Sequence, residues 1–461
     1  LDVPPTLVAF AVGIEKAKNI ISAEFKKVGS KLVLLMAEKN EDFTLKVNQY
    51  KRNLERLYEL ILEGKVISAS SVKFGGVAET ISKMAFGNKI GVEFFNLSKE
   101  ELFGLNYGTL VLEVNQEVNI NKEFKGCAYK AIGYTTEEET ITSKEFDLNL
   151  KLNILENAYE KNLSKVFKIK TNDKNEKVKE VLYKESNNKS PVIKIAKPKV
   201  IIPVFPGTNC EYDCEREFKK ANAETKTLVF RNYSKEAFVE SIENLEKQIR
   251  ESQIIMLPGG FSAGDEPDGS GKFIATVFRN EKIKDAVMDL LKNRDGLILG
   301  ICNGFQALIK LGLVPYGEII DIEEEMATLT YNEINRHMSS IIQTKVVSKK
   351  SPWFNKVNLG DIHNVAISHG EGRFVAPEKL IKELIKNGQV ATQYVDNKGN
   401  ISLNMPFNPN GSMLGIEGIT SPDGRVLGKM GHSERIGDNL YKNIPGNFNQ
   451  KIFESGVEYF R

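Results

Sequence analysis

Gly296-Leu297-Ile298-Leu299-Gly300-Ile301-Cys302-Asn303-Gly304-Phe305-Gln306 decides how the second half of this 461-residue chain is read. The apolar run predicts a buried parallel strand, and residues 303–311 predict the helix it feeds. Between them lies the Gly-x-nucleophile-x-Gly pattern of a nucleophile elbow, with cysteine where serine often stands. The turn is so sharp that a side chain at either flanking position would clash. A cysteine there sits at a helix N-terminus, whose partial positive charge favours thiolate over thiol. The plain alternative is a buried structural cysteine that happens to lie between glycines, since free cysteine is often simply core.

Outward from the elbow, short β-rich runs at residues 199–205, 225–230, 253–257 and 296–299 alternate with helical stretches at 212–221, 236–250 and 273–291. That alternation predicts an α/β fold with a mostly parallel sheet covered by helices. In such sheets function collects at the carboxyl ends of the strands. Cys302 lies at one such end, and Leu257-Pro258-Gly259-Gly260-Phe261-Ser262 at another.

A thiolate needs a base, and the base needs a group to orient it. Of the four histidines (His337, His363, His369, His432), His432 stands out in Gly428-Lys429-Met430-Gly431-His432-Ser433-Glu434-Arg435. At an extended strand end, residues two apart point the same way, so Glu434 can reach one ring nitrogen of His432 while the other faces a neighbour. A lone His-x-Glu is more often an exposed polar turn; beside an elbow cysteine the catalytic reading is the better one. An attacked carbonyl also needs N–H donors for its developing charge. The Asn303 amide and Gly260, which lets backbone approach the substrate, are the candidates, against a plain βα turn.

The remaining chain holds less chemistry. Residues 1–145 read as an α+β domain, with strands at 31–36, 105–114 and 131–142 and helices at 45–64 and 77–85. Residues 146–199 read as a helix, roughly 148–162, and a polar linker over 171–190. Residues 200–461 form the α/β domain. The opening Leu1-Asp2-Val3-Pro4-Pro5-Thr6-Leu7 has no initiator methionine or leader, and a strand-like run follows over residues 6–12, as expected of a fragment cut from inside a larger domain. A net charge of +2 points to no nucleic-acid or anionic-membrane partner, and no apolar stretch is long enough to span a bilayer. Cys127, Cys210, Cys214 and Cys302 show no disulfide or zinc spacing, which fits a reducing cytoplasm and no metal site. Cys210 and Cys214 are read as helix-start packing, His337 and His363 as structural, and Trp353 as a packing anchor.

Oxyanion-loop glycines, an elbow cysteine and a distant His-x-Glu, in that order, resemble a class I glutamine amidotransferase; serine α/β-hydrolases place the acid before the histidine. Val204-Phe205-Pro206-Gly207-Thr208-Asn209-Cys210, Pro258-Gly259-Gly260-Phe261-Ser262-Ala263-Gly264-Asp265, Cys302-Asn303-Gly304-Phe305-Gln306 and Ser368-His369-Gly370-Glu371-Gly372-Arg373-Phe374 look like the glutaminase domain of the phosphoribosylformylglycinamidine synthase family. The likeness covers nearly all of residues 200–461. Asp2-Val3-Pro4-Pro5-Thr6-Leu7, Gly75-Gly76-Val77-Ala78-Glu79 with Met84, and Gly108-Thr109-Leu110-Val111-Leu112-Glu113-Val114 resemble, more loosely, the second synthetase half of the family's large, single-chain form. That half belongs to the aminoimidazole-ribotide-synthetase-like superfamily. The family often has acidic residues before the paired glycines; Val72-Lys73-Phe74 stands there instead, so no metal or triphosphate role is carried over.

The resemblance implies that Cys302 attacks the side-chain amide of glutamine, giving a glutamyl thioester and ammonia. His432 protonates the leaving amine and then activates water, Glu434 holds its tautomer, and Gly260 and Asn303 form the oxyanion hole. Gln306, His369 and Glu371 line the glutamine pocket, although a packed, satisfied histidine is an equal reading for His369. No cofactor is implied for this fragment; ATP and Mg2+ belong to the full enzyme. There the upstream synthetase portion of the same polypeptide uses the ammonia on formylglycinamide ribonucleotide. Two other readings are a glutaminase serving a different synthetase and a non-catalytic, flavodoxin-like binding module.

Overall fold

The computed structural model describes residues 7–172, 174, 178, 180–186, 190–262 and 271–461. Motif positions 2–6 and 263–265 lie outside them. The chain divides into two compact units, Leu1–Val166 and Phe167–Arg461.

The first unit is built on seven strands: β1 (Lys31–Leu35), β2 (Val66–Ser71), β3 (Gly91–Phe94), β4 (Leu110–Val114), β5 (Tyr129–Thr136), β6 (Thr140–Ser143) and β7 (Leu148–Lys151). Their order is β2-β4-β1-β5-β3-β6-β7, antiparallel except for β3 with β6. Strand alternation separates its two cores. Leu32 and Leu34 join Val77, Ile81 and Met84 of the helix Gly76–Phe86, whereas Val33 and Leu35 join Leu57 and Leu60 of the helix Val47–Leu62.

Three expectations change here. The strand expected over 131–142 is two strands, because Glu137-Glu138-Glu139 turns the chain and β3 lies between β5 and β6. The helix expected from 148 starts at Leu152 and runs to Lys161; residues 148–151 pair with β6, and Leu148, Leu152 and Leu155 all pack on this unit's core. The strand-like run at 7–12 forms no strand: Leu7, Phe10 and Val12 are exposed, and no neighbour pairs with them among the described residues.

The second unit holds β8 (Lys199–Val204), β9 (Glu224–Val229), β10 (Ile254–Leu257), β11 (Leu297–Ile301), β12 (Thr328–Thr330), β13 (Met338–Val346), β14 (Ile362–His369), β15 (Arg373–Val375), β16 (Val390–Val395), β17 (Ile416–Thr420) and β18 (Val426–Lys429). Nine of them form one sheet in the order β14-β13-β16-β17-β18-β11-β10-β8-β9, and β12 pairs with β15 separately. From β9 to β18 the pairings are parallel; from β18 to β14 they are antiparallel. The mostly parallel sheet expected from the alternation is therefore one half of the sheet. Short connections such as Ser421-Pro422-Asp423-Gly424-Arg425 join β17 to β18, and a connection that short permits only an antiparallel pair.

The helix expected over 273–291 is two helices, Lys272–Phe278 and Glu281–Lys292. The break falls where the Asn280 side chain accepts from the Lys282 N–H and caps the second. Strands β10 and β11 are buried along their whole length, which places the elbow at the end of a fully buried part of the sheet. The described part of the expected linker lies against the antiparallel half: Tyr183 N–H donates to Val347 O at 2.9 Å and Val181 N–H to Gln393 Oε1 at 3.2 Å. No helix among the described residues is long and apolar enough to cross a membrane.

Candidate active site

Cys302 joins β11 to the helix Asn303–Leu311 with φ 52° and ψ −105°, a backbone conformation that costs a non-glycine residue on the order of 1–3 kcal/mol. The packing that enforces it explains the flanking glycines. A Cβ on Gly304 would lie 2.0 Å from Leu257 O, and one on Gly300 would lie 2.5 Å from Leu308 Cδ1 and 2.8 Å from the Gly304 carbonyl carbon. The Cys302 N–H donates to Lys429 O at 2.9 Å, and Cys302 O accepts from Gln306 N–H at 3.0 Å. The side chain is buried, and its thiol donates to Ser368 O at 3.6 Å. Burial pushes the thiol up to about 12, Cys210 and Glu434 nearby add to the rise, and Arg435 and the Asn303 N–H oppose it. The helix N-terminus acts in the direction the sequence suggests, but desolvation outweighs it.

His432 follows β18, held by its N–H to Ala366 O at 2.8 Å. Nδ1 lies 2.6 Å from Glu434 Oε1, and both side chains are buried. Nε2 has no partner among the described residues. Burial acts to raise the Glu434 carboxyl, yet His432 beside it and the hydrogen bonds to it leave it below the usual carboxylate value. This fits a carboxylate fixing a ring with Nδ1 protonated and Nε2 open. Gly259 allows the close approach: a Cβ there would lie 2.7 Å from His432 Cε1. On the far side, Arg216 Nη2 donates to Glu434 O at 2.9 Å.

The loop after β10 is tied to the elbow by side chains. Ser262 N–H donates to Asn303 Oδ1 (3.3 Å), Asn303 Nδ2 to Gln306 Oε1 (3.0 Å), and Gln306 Nε2 to Glu371 O (2.6 Å). Gln306 and Glu371 thus come together at the site, with both ends of the Gln306 amide engaged in this bridge. Gly260 has φ 138°, and a Cβ would lie within 2.8 Å of Gly207 O, Thr208 Cα and Asn209 N, so only glycine fits. His369 is buried with Nδ1 at 3.2 Å from Asn332 Oδ1 and Nε2 unpartnered among the described residues. Burial, with His432 and His337 near, lowers it to about 3, so it is neutral.

Two residues that the sequence reading left aside belong to the same neighbourhood. His337 Nε2 lies 2.9 Å from Ser368 Oγ, next to the carbonyl that accepts from Cys302. Cys210 is not mere helix-start packing: its Sγ lies 3.9 Å from His432 Nδ1 and accepts from Arg435 Nη2 at 3.4 Å. Its position after β8, at the carboxyl end of a parallel strand, was the available signal. Cys214 is core, as are His363 and Trp353, whose Nε1 donates to Arg425 O at 3.1 Å. Cys210, His432 and Glu434 place ligand-type atoms within 4.8 Å of one another, the one such group among the described residues. Within it Nδ1 is bonded to the Glu434 carboxylate, and the Arg435 guanidinium supplies the positive charge at the sulfur.

The model of the CobB/CobQ-like glutamine amidotransferase domain matches residues 197–460. The chain belongs to this family. The PurQ subunit of phosphoribosylformylglycinamidine synthase from Methanococcus maripaludis strain S2 is 34% identical over 283 residues, spanning 57% of this chain and 97% of that one. The PurQ subunit from Aquifex aeolicus is 30% identical, over 52% of this chain and 92% of that one. Among solved structures, PurLQS from Thermotoga maritima contains a chain 26% identical with a TM-score of 0.42, matched over 57% of this chain and 100% of that one. The amidotransferase domain therefore occupies the second unit, and Cys302, His432 and Glu434 all fall inside the match.

Proposed function

We propose that the second unit hydrolyses glutamine through a thioester on Cys302, and that the ammonia serves the ATP-dependent conversion of formylglycinamide ribonucleotide to formylglycinamidine ribonucleotide in purine biosynthesis. The observation that carries this is a strained elbow cysteine after β11 and a buried His432–Glu434 pair after the neighbouring parallel strand β18, inside a domain homologous to PurQ.

In this reading His432 Nε2 takes the Cys302 proton as Sγ attacks the glutamine side-chain carbonyl. The oxyanion is met by the N–H groups of Gly260 and Asn303. The proton passes to the leaving nitrogen, ammonia departs, and a glutamyl thioester remains. Water then gives a proton to His432 and attacks; collapse expels the Cys302 thiolate, which recovers the proton as glutamate leaves. The thiol donates to Ser368 O, and in the proposed reaction its proton goes to Nε2 as Sγ attacks. Gln306 and Glu371 wall the glutamine pocket, and His369 turns a neutral Nε2 toward a buried acceptor or donor of the substrate.

The first unit is read as the end of the second synthetase half of a large, single-chain enzyme, with the synthetase portion of the same polypeptide as the ammonia acceptor in a cytoplasmic pathway. The paired glycines at 75–76 do not fit an ATP·Mg2+ cradle. Gly75 N–H is taken by Glu79 Oε2 (2.9 Å) and Gly76 N–H by Lys73 O (3.0 Å), and Val72-Lys73-Phe74 supplies no acidic ligand. No step is therefore assigned to nucleotide here.

Glutamine hydrolysis by Cys302→Ala tests the proposal. The expected loss is several orders of magnitude in turnover with the fold intact by circular dichroism; turnover within about tenfold of the parent chain would refute it.

A further inference from the structure

Directly behind the catalytic strand ends lies an ion pair that the reaction does not use. Lys429 closes β18, its Nζ is 3.1 Å from Glu417 Oε1 on β17, and both side chains are completely buried. The rest of β18 is buried Val426, Leu427 and Gly428, so an apolar residue at 429 would suit the core as well. A buried ion pair adds little stability over well-packed apolar residues of similar volume, and its presence asks for another explanation.

The hydrogen bonds of the pair supply one. Lys429 Nζ donates to Gly431 O at 2.7 Å, and Gly431 N–H donates to Glu417 Oε1 at 2.6 Å. Both polar groups of the residue before His432 are thus held by the two charges. Glu417 Oε2 is itself fixed by the Thr392 hydroxyl. The Lys429 carbonyl accepts the Cys302 N–H, so the same residue grips the elbow through its backbone and the histidine loop through its ammonium. Gly431 is the residue that permits this: a Cβ would lie 2.6 Å from Val365 Cγ1, 2.9 Å from Glu417 Oε1 and 3.0 Å from Lys429 Nζ.

We infer that Lys429 and Glu417 are positioning residues that fix the Gly431 peptide and thereby set His432 against Cys302. The inference rests on the proposed glutaminase reading. The pair orients the base and leaves glutamine binding to other residues, so its removal lowers the chemical rate and spares the pocket.

The test uses the full chain with Lys429→Met/Glu417→Met, which replaces the pair by two apolar side chains and leaves no uncompensated charge, and Glu417→Gln, which keeps an acceptor for the Gly431 N–H. Cys302→Ala runs alongside: if it hydrolyses glutamine as fast as the parent chain, the glutaminase reading itself has failed. With that control inactive, the double variant is expected to fold and to keep KM for glutamine within about twofold, while kcat falls at least tenfold. Inactivation by the glutamine analogue 6-diazo-5-oxo-L-norleucine should slow in parallel at unchanged half-saturation. Glu417→Gln should retain more activity than the double variant. A folded double variant with kcat within about twofold of the parent would overturn the inference. Should the double variant not fold, Glu417→Gln decides: a lowered kcat at constant KM supports positioning, and an unchanged kcat overturns it.

Discussion

Burial controls Cys302 more than its place at a helix N-terminus does, and this has a measurable consequence. With the thiol pushed up to about 12, the chain holds little thiolate at neutral pH. Alkylation of Cys302 by iodoacetamide, followed on its own peptide by mass spectrometry, is expected to rise steadily from about pH 7 to about pH 10; a plateau near neutrality would contradict the burial argument. In the proposed reaction His432 moves protons in both half-reactions and Glu434 orients it, so His432→Ala should cost more turnover than Glu434→Gln. Equal, trivial losses in both variants would place the proton relay elsewhere. His369 offers a stability test. Its folded value of about 3 lies below the ordinary 6.5, so as pH falls through 6.5 the unfolded chain takes up a proton that the folded chain refuses. The stability it contributes is full above that point and declines below it. His363, lowered by burial, acts in the same direction. The urea midpoint of His369→Gln should therefore fall less steeply than the parent's between pH 6.5 and about 5; parallel curves would show that His369 is not buried neutral. At this scale the His432–Glu434 pair and the strained turn at Cys302 were legible because each sits in a short local pattern. Cys210 was not, because its nearness to His432 depends on how the loops after β8 and β18 meet.

Among the elements, the elbow is the best determined. Its two glycines were readable as steric necessities, and the close contacts at Gly300 and Gly304 give the reason. Gly304→Ala would drive a Cβ to 2.0 Å from the Leu257 carbonyl oxygen, a backbone atom of the adjacent strand. Overpacking of this kind costs about 1–3 kcal/mol or more, to be read as a lowered urea midpoint. Gly437→Ala, with nothing within 4 Å of the added Cβ, is the control expected to leave it unchanged. Period-3.6 and period-2 patterns located the longer helices, including Val47–Leu62 and the helix Asn303–Leu311, and strands β8 to β11, whereas β2, β3, β7 and β12 to β17 were not read from the sequence. Where they failed, strand pairing decided the outcome. Leu148–Lys151 is a strand because β6 lies beside it, and the antiparallel half of the large sheet follows from short connections that local periodicity does not register.

At the scale of the whole chain, the amidotransferase unit holds a buried His432–Glu434 pair after the strand beside the Cys302 turn, while the paired glycines of the first unit spend their N–H groups on Glu79 and Lys73. The chain alone is accordingly expected to release no ADP with formylglycinamide ribonucleotide and ammonium, and its glutaminase rate should not respond to ATP. ATP turnover in that assay would mean that a nucleotide site exists which the geometry at Gly75 and Gly76 does not provide. The central claim is that Cys302 carries the glutamyl group, and acid quenching during turnover tests it most directly. Peptide mass spectrometry should find one glutamyl group as a thioester on Cys302 in the parent chain, none in Cys302→Ala, and a larger fraction in His432→Ala if deacylation slows most. A glutamyl group on Cys210, or glutamine hydrolysis with no cysteine adduct in any of the three, would contradict the account.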